Sequence, residues 1–308
     1  MLKKERQLNF IGLTLLMVAT LIWGTSFIIL KNTLETLPVM FVLAVRFTVS
    51  AMVLFIVFRK RFIGISKKTV ITGLSLGAIL ATAYLLQTYG LKGVSPGENA
   101  FLTSTYSVMV PFMCWAFFRR KPDVFSIVAG VLCVGGIGLV AFTDGTGLTV
   151  GLGQILTLVC AIFYGLQIIV ISIFGEREDP MVILCIQLAV VGAVCLIGTF
   201  SFEVGRQPIS LDVGLILTLA YLTFLCTLTA QGCQIVGQKF VPTSQASIIL
   251  SLESVFGLLF SAILGGESFS VLSTTGFVLI FVSVIISETK LKFITNLFKK
   301  KERLNIND

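Results

Sequence analysis

Apolar residues run along this chain almost without interruption in ten stretches, separated by short connections where Gly, Pro, Lys and Arg collect. Each stretch has about 17 to 25 residues, the length at which an α-helix crosses a hydrocarbon core about 30 Å thick while satisfying its own backbone groups. The pattern predicts helical spans over residues 10–30, 37–58, 69–90, 97–117, 124–143, 151–173, 181–202, 211–237, 243–264 and 270–287. No connection exceeds roughly a dozen residues, so no soluble domain interrupts the pattern and function must sit among the helices.

The five stretches of the second half echo those of the first. IGLTLLMVATLIWGTSFIIL followed by a segment from Pro38 matches GQILTLVCAIFYGLQIIVIS followed by a segment from Pro180, which pairs Trp23-Gly24 with Tyr164-Gly165 and Arg46 with Gln187. Ser95-Pro96 and Val241-Pro242 mark the same turn between helices, because a proline there starts a helix and cannot continue one. Five is an odd number of crossings, so the two halves enter the membrane from opposite sides. The fold class expected is an all-α membrane protein of ten transmembrane helices, built as two inverted five-helix repeats over 10–143 and 151–287, flanked by basic cytoplasmic tails at 1–9 and 288–308.

Composition agrees. Hydrophobic residues make up 56% and charged residues 12% of the 308, too few polar side chains to cover a water-soluble surface. The formal charge of +8 lies in connections and tails without aromatic interleaving, which argues against nucleic acid and for topogenesis. With the tails in the cytoplasm, Lys3, Lys4, Arg6, the Arg59 to Lys68 cluster, Arg119, Arg120, Lys121, Arg177, Lys239 and the C-terminal basic residues fall on one side. Only Lys31, Lys92 and Arg206 fall on the other, which places both termini in the cytoplasm and the chain in the cell membrane. The first stretch follows Lys3, Lys4 and Arg6 as a secretory signal would, but it is long and lacks a small-residue cleavage site, so it reads as a retained helix. The seven cysteines fall inside spans, none as C-x-x-C, and read as free buried thiols; histidine is absent, which removes His-dependent triads, zinc motifs and imidazole relays.

Trp23-Gly24 in the first span, Arg46-Phe47-Thr48 with Ser50 in the second, and Pro96 with Ala100-Phe101-Leu102-Thr103 opening the fourth form an ordered set. Val241-Pro242-Thr243-Ser244, Leu252-Glu253-Ser254-Val255-Phe256 and Leu264-Gly265-Gly266-Glu267-Ser268 complete it in the ninth. Together they resemble the EamA family of the drug/metabolite transporter superfamily over nearly the whole chain. Where that family carries a glycine-glutamate pair before the fifth span, this chain has Arg119, Arg120, Lys121 and Pro122. The resemblance implies a ten-helix secondary carrier whose central cavity is lined by spans one, three, four, six, eight and nine, with amino acids or other small metabolites moved outward by many relatives.

The candidate contacts are few. Arg46 is the only basic residue well inside a span, where a charge costs roughly 2.5–3.5 kcal/mol on insertion scales and requires a partner or an aqueous cavity. It reads either as a guanidinium for a substrate carboxylate or as a structural group bound to backbone carbonyls or Glu35. Glu253 is the only acid deep in a span, a proton-coupling or countercharge site on one reading and a carboxyl held by Ser251 or Ser254 on the other. Glu98, in a first helical turn, reads as a dipole partner. Asn99, Thr103 and Ser107 follow at four-residue steps with Tyr106 beside them; Tyr84, Gln87 and Thr88, Tyr164 and Gln167, and Gln231 and Gln234 form further polar faces. Such faces point inward, since an amide facing lipid has no partner. Trp23 reads as an aromatic cavity wall or an interface anchor, and the glycines of spans three, five and ten as close-packing positions or, at Gly130 to Gly138, a hinge.

The function expected is a secondary transporter that moves a small polar or amphipathic metabolite, amino-acid-like and outward, by alternating access. Export of cationic or toxic drug-like compounds is the alternative; an intramembrane enzyme lacks the convergent residues it would need, and the ten-span repeat with polar faces in both halves argues against a non-transporting receptor. The partners expected are a small-molecule substrate and membrane lipid, with proton coupling open, no nucleic acid, no cofactor, no metal, and a monomer or weak homodimer.

Overall fold

The computed structural model describes residues 2–119, 121–141, 151–174, 178–205, 209, 212–238, 240–241 and 243–289, the side chains of 2–6, 141, 171–174, 243–248 and 288 excepted. Arg120, Arg177, Arg206, Lys239, the Pro242 turn and the C-terminal basic tail lie outside them. Every element among the described residues is helical. In chain order these are α1 (Leu2–Thr33), α2 (Val39–Phe58), a 3-10 turn (Arg59–Phe62), α3 (Lys67–Gly93), α4 (Pro96–Ser104), α5 (Tyr106–Phe118), α6 (Val124–Ala141) and α7 (Leu152–Phe174). The second half continues with α8 (Pro180–Gly198) and a π turn (Thr199–Glu203), α9 (Val213–Ala220), a π segment (Tyr221–Thr229), α10 (Ala230–Gln238), α11 (Thr243–Gly265) and α12 (Val271–Thr289).

Among the described residues seven helical stretches are long and apolar enough to cross a membrane, and α6, α11 and α12 contain the shorter apolar runs Val124–Val140, Ile249–Gly265 and Val271–Ser287. Several starts follow from the residues before them. The Ser66 hydroxyl caps α3 and that of Ser95 caps α4, with Pro96 in the first turn; Asp179 and Asp212 cap α8 and α9. α2 is capped from a distance instead. Pro38 offers no side-chain acceptor, and both carboxylate oxygens of Glu203, at the end of the π turn after α8, accept from the Met40 and Phe41 backbone N–H groups at 2.8 Å. An anion at a helix N-terminus satisfies orphan donors and meets the positive end of the dipole. Glu203→Gln is expected to lower stability by about 1 kcal/mol, read as a fall in the thermal midpoint of the detergent-solubilised protein; an unchanged midpoint would show that α2 needs no anionic cap.

Helix directions can be read from contacts at their ends. The Lys31 ammonium, in the last turn of α1, donates to the carbonyls of Leu91, Lys92 and Val94 at the end of α3. The end of α3 meets the start of α7, where a Cβ added to Gly93 would lie 3.0 Å from the Gly153 Cα. Thus α1 finishes on the face where α7 begins, and the first helices of the two halves run in opposite directions. The packing follows the same exchange: α3 packs on α7 as α10 packs on α1, α2 packs on α8, α4 on α11, and α6 on α12. Small residues make these approaches possible, as at the α6–α12 crossing, where Gly136 and Gly276 each face the other's carbonyl oxygen. Gly73 and Gly77 fit against Ile186 and Val190, a packing role.

Candidate functional site

Two helices lose regular geometry at mid-length. The stretch predicted as one helix over 97–117 divides at Thr105, whose N–H and hydroxyl both turn back to the Leu102 carbonyl while the Ser104 hydroxyl takes that of Phe101. Six residues on, Pro111 has no N–H to give the Ser107 carbonyl, and the Ser287 hydroxyl of α12 supplies the donor at 3.3 Å. Ser107 therefore does not continue the face of Asn99 and Thr103; its own hydroxyl is buried without a partner.

The second irregularity is the π segment between α9 and α10. Widening the turn to an i→i+5 pattern exposes carbonyls that lipid cannot satisfy, and side chains satisfy them here. Thr227 and Thr229 hydroxyls donate to Leu222 and Phe224, five residues back, at 2.9 and 2.7 Å. The Ser50 hydroxyl of α2 donates to Thr223 at 3.1 Å, and the Trp23 indole N–H of α1 donates to Cys226 at 2.9 Å. Trp23 is thus an interior wall whose polar edge locks α1 to the π segment. One turn further, the hydroxyls of Thr25 and Tyr221 meet at 2.5 Å.

Arg46 projects from α2 into this region. It is 2% exposed, and its Nε donates to the Thr227 hydroxyl at 3.2 Å. Its guanidinium carbon lies 5.7 Å from the Phe47 ring centre and 6.0 Å from that of Tyr84, within cation–π range. No carboxylate pairs with it among the described residues, Glu35 included. Its two terminal nitrogens have no acceptor among the described residues.

From Tyr84 a polar belt crosses the interior. The Gln231 amide of α10 donates to the Tyr84 hydroxyl at 3.0 Å, and the Tyr84 and Tyr164 rings meet edge to face at 5.9 Å. Tyr164 donates to Gln87 at 2.9 Å, Gln87 donates to Thr103 at 3.2 Å, and Thr103 meets the Cys160 thiol at 3.7 Å. Tyr106 flanks Tyr164, with ring centres 6.4 Å apart. Asn99 donates to the Thr157 hydroxyl at 2.8 Å and to the Gln87 carbonyl at 3.3 Å, leaving its own oxygen buried and unpaired.

Glu253 lies at the middle of α11, within electrostatic reach of Tyr84, Cys160 and Tyr164. Neither of the neighbouring serines holds its carboxyl: the Ser254 hydroxyl donates to the Ser251 carbonyl, and among the described residues Glu253 has no hydrogen-bond or ion-pair partner. It is half-buried, a carboxyl that the chain places deep in a helix. Glu98 stands in the first turn of α4, and the Gln154 amide of α7 donates to its carboxylate at 2.6 Å.

Of the residues the sequence singled out, Trp23, Arg46, Tyr84, Gln87, Asn99, Thr103, Tyr106, Tyr164, Gln231 and Glu253 surround this interior. Gln167 and Gln234 are half-buried and enter no side-chain hydrogen bond of the belt. Sequence reasoning missed Thr227, Ser50 and Tyr221. The available signal was three threonines within seven residues of one span, at 223, 227 and 229, the residues able to rebond a widened turn. All seven cysteines are free thiols, with Cys114 and Cys233 half-buried and the rest buried.

The pattern of the EamA-like transporter family matches residues 10–142 and again 151–289. An uncharacterized transporter of Archaeoglobus fulgidus is 31% identical over 277 residues, which cover 88% of this chain and 83% of the relative. A crystal structure of a protein superposes with a TM-score of 0.67 at 13% identity, covering 94% of this chain and 99% of that one, a likeness of fold.

Proposed function

Because the chain belongs to the EamA-like transporter family, we propose that it is a ten-span secondary carrier of two inverted repeats. It moves a small zwitterionic metabolite of amino-acid type out of the cell by alternating access at the Arg46 to Glu253 interior. Family membership and the transporter relative support membrane transport. The observation that carries the finer reading is the pair of opposite charges at mid-depth, Arg46 and Glu253, neither with an ion-pair partner among the described residues. A buried charge without a partner is expensive, and a cargo with carboxylate and ammonium groups removes both penalties at once. Tyr84, Tyr106, Tyr164 and Trp23 supply a wall for the apolar part of the cargo, and Gln87 and Gln231 fix its orientation.

In this mechanism the guanidinium receives the carboxylate while Thr227 holds Nε and keeps the fork aimed. Glu253 receives the ammonium, or a proton on the empty return step. The tight contacts of α1 and α4 with α11, at Gly24, Gly97, Gly257 and Gly265, together with the Lys31 clasp, close the face where α1 ends. The positive-inside bias makes that face extracellular and both termini cytoplasmic in the cell membrane. The working unit is a monomer or weak homodimer in lipid. Arg46 disfavours the alternative, export of cationic drug-like compounds, since a cation gains nothing from a guanidinium.

The test is uptake and efflux of labelled amino acids and small metabolites by proteoliposomes, with and without a pH gradient. At least one zwitterion should cross faster than through empty vesicles; none doing so defeats the carrier reading. Glu253→Gln is expected to abolish the dependence on the pH gradient, and a variant that keeps it in full removes Glu253 as the coupling group.

A further inference from the structure

A cavity of about 680 Å³ opens on the face where α1 and α3 end, and neither Arg46 nor Glu253 lines it. Lys31, Lys92, Glu98, Gln154, Glu267 and Phe277 are among its lining residues. Their chemistry divides three ways. Lys31 gives its hydrogens to three carbonyls, so it holds the cavity's shape and contributes background charge, within electrostatic reach of Glu98 and Glu267. Lys92 is exposed, with an ammonium that has no partner among the described residues. The Gln154 amide donates to Glu98 and the Ser261 hydroxyl to Glu267, neutral donors that leave a carboxylate's charge in place. The apolar wall is rigid, for Phe277 stacks on Phe101 at 4.8 Å and meets Phe269 edge to face at 5.6 Å.

The cavity is joined to the interior by consecutive polar contacts. Gln154 and Thr157 lie one turn apart on α7, beside Glu98 and Asn99 on α4; Asn99 reaches the Gln87 carbonyl, and Gln87 reaches Tyr164. The unpaired Asn99 oxygen lies on this route, where a passing ammonium would supply its missing donor. We propose that this cavity is a second binding station for a zwitterion with an apolar side chain, outside the closed contact of α4 with α11. There Lys92 meets the carboxylate, Glu98 and Glu267 meet the ammonium, and Phe269 and Phe277 meet the side chain. The inference deepens the carrier reading and rests on it for the identity of the cargo.

Its test does not depend on transport. Ser268 is exposed on the cavity lining, so Ser268→Cys places a thiol there, while the seven native thiols are buried or half-buried in helices. The rate of labelling by a membrane-impermeant maleimide is measured with L-leucine, L-phenylalanine, 3-methylbutylamine or 4-methylpentanoate present. Leucine and phenylalanine are expected to slow labelling, the single-charge analogues to need about tenfold higher concentration, and Lys92→Gln to weaken protection by leucine about tenfold, the size of one charge-assisted contact. Unchanged labelling with every probe, or equal protection by the single-charge analogues, overturns the station. Protection in vesicles that transport nothing upholds the station and defeats the carrier reading; transport without protection does the reverse.

Discussion

Arg46→Gln is expected to lower transport of the preferred zwitterion by about a hundredfold or more, chiefly through KM. The guanidinium offers the carboxylate two parallel charge-assisted hydrogen bonds in an interior that screens weakly, and each such contact is worth about 1.5–3 kcal/mol. Arg46→Lys should recover only part of this, because an ammonium keeps the charge without the planar fork. The variants also separate function from structure. If Arg46 served only the fold, Arg46→Gln would lower the thermal midpoint through its lost Thr227 and aromatic contacts, and transport would follow protein yield; if it serves the cargo, removing a desolvated charge that no carboxylate compensates leaves the midpoint unchanged or higher. Thr227→Val provides the comparison: it removes the 3.2 Å contact to Nε but leaves the charge in place. A modest loss there, with an intact thermal midpoint, identifies Thr227 as a positioning residue. Wild-type KM in Arg46→Gln would exclude the guanidinium from cargo binding.

The largest structural effect is expected from Gly24→Ala. A Cβ at that position would sit 2.4 Å from the Phe256 Cβ and 3.0 Å from its carbonyl carbon, atoms rooted in α11 that cannot swing aside. The two helices must separate, and overpacking of this kind costs about 1–3 kcal/mol. Gly24 adjoins Trp23, and Phe256 lies three residues beyond Glu253, so the separation would also move the two walls of the interior. The expected result is a thermal midpoint lower by several degrees together with impaired transport. Gly138→Ala serves as the control, because nothing lies within 4 Å of a Cβ added there and helix propensity favours alanine. Equal midpoints for the two variants would show that the α1–α11 contact is looser than its geometry.

Much of this architecture was legible because hydropathy in a membrane protein reports backbone satisfaction directly. Ten apolar stretches predict helices, and helical periodicity brings Gln87, Tyr164, Tyr84 and Gln231 toward one interior. Arg46 and Glu253 were conspicuous because charges in such stretches are rare. What the sequence concealed were departures from helical regularity. A Thr-Ser-Thr run is compatible with a continuous helix, so the division at Thr105 depends on where those hydroxyls turn, and with it the fate of Ser107. The π segment likewise follows from four rebonded carbonyls, two of them satisfied by Ser50 and Trp23 on other helices, which no local pattern contains. Gln167 and Gln234 each stand three residues beyond a belt member, about 60° off its direction on a helix turning about 100° per residue, and this offset keeps them out of the belt's hydrogen bonds.

The π segment has a consequence for how this chain tolerates change in length. A π turn is equivalent to an α-helix holding an extra residue, so it keeps everything after it in phase despite that residue. Deleting one residue between 221 and 229 would let the helix relax to regular α geometry and leave α10 in phase, with Gln231 still against Tyr84. A one-residue gap that would turn a regular helix by about 100° would be absorbed here, at the expense of the contacts that Ser50 and Trp23 make to the widened turn.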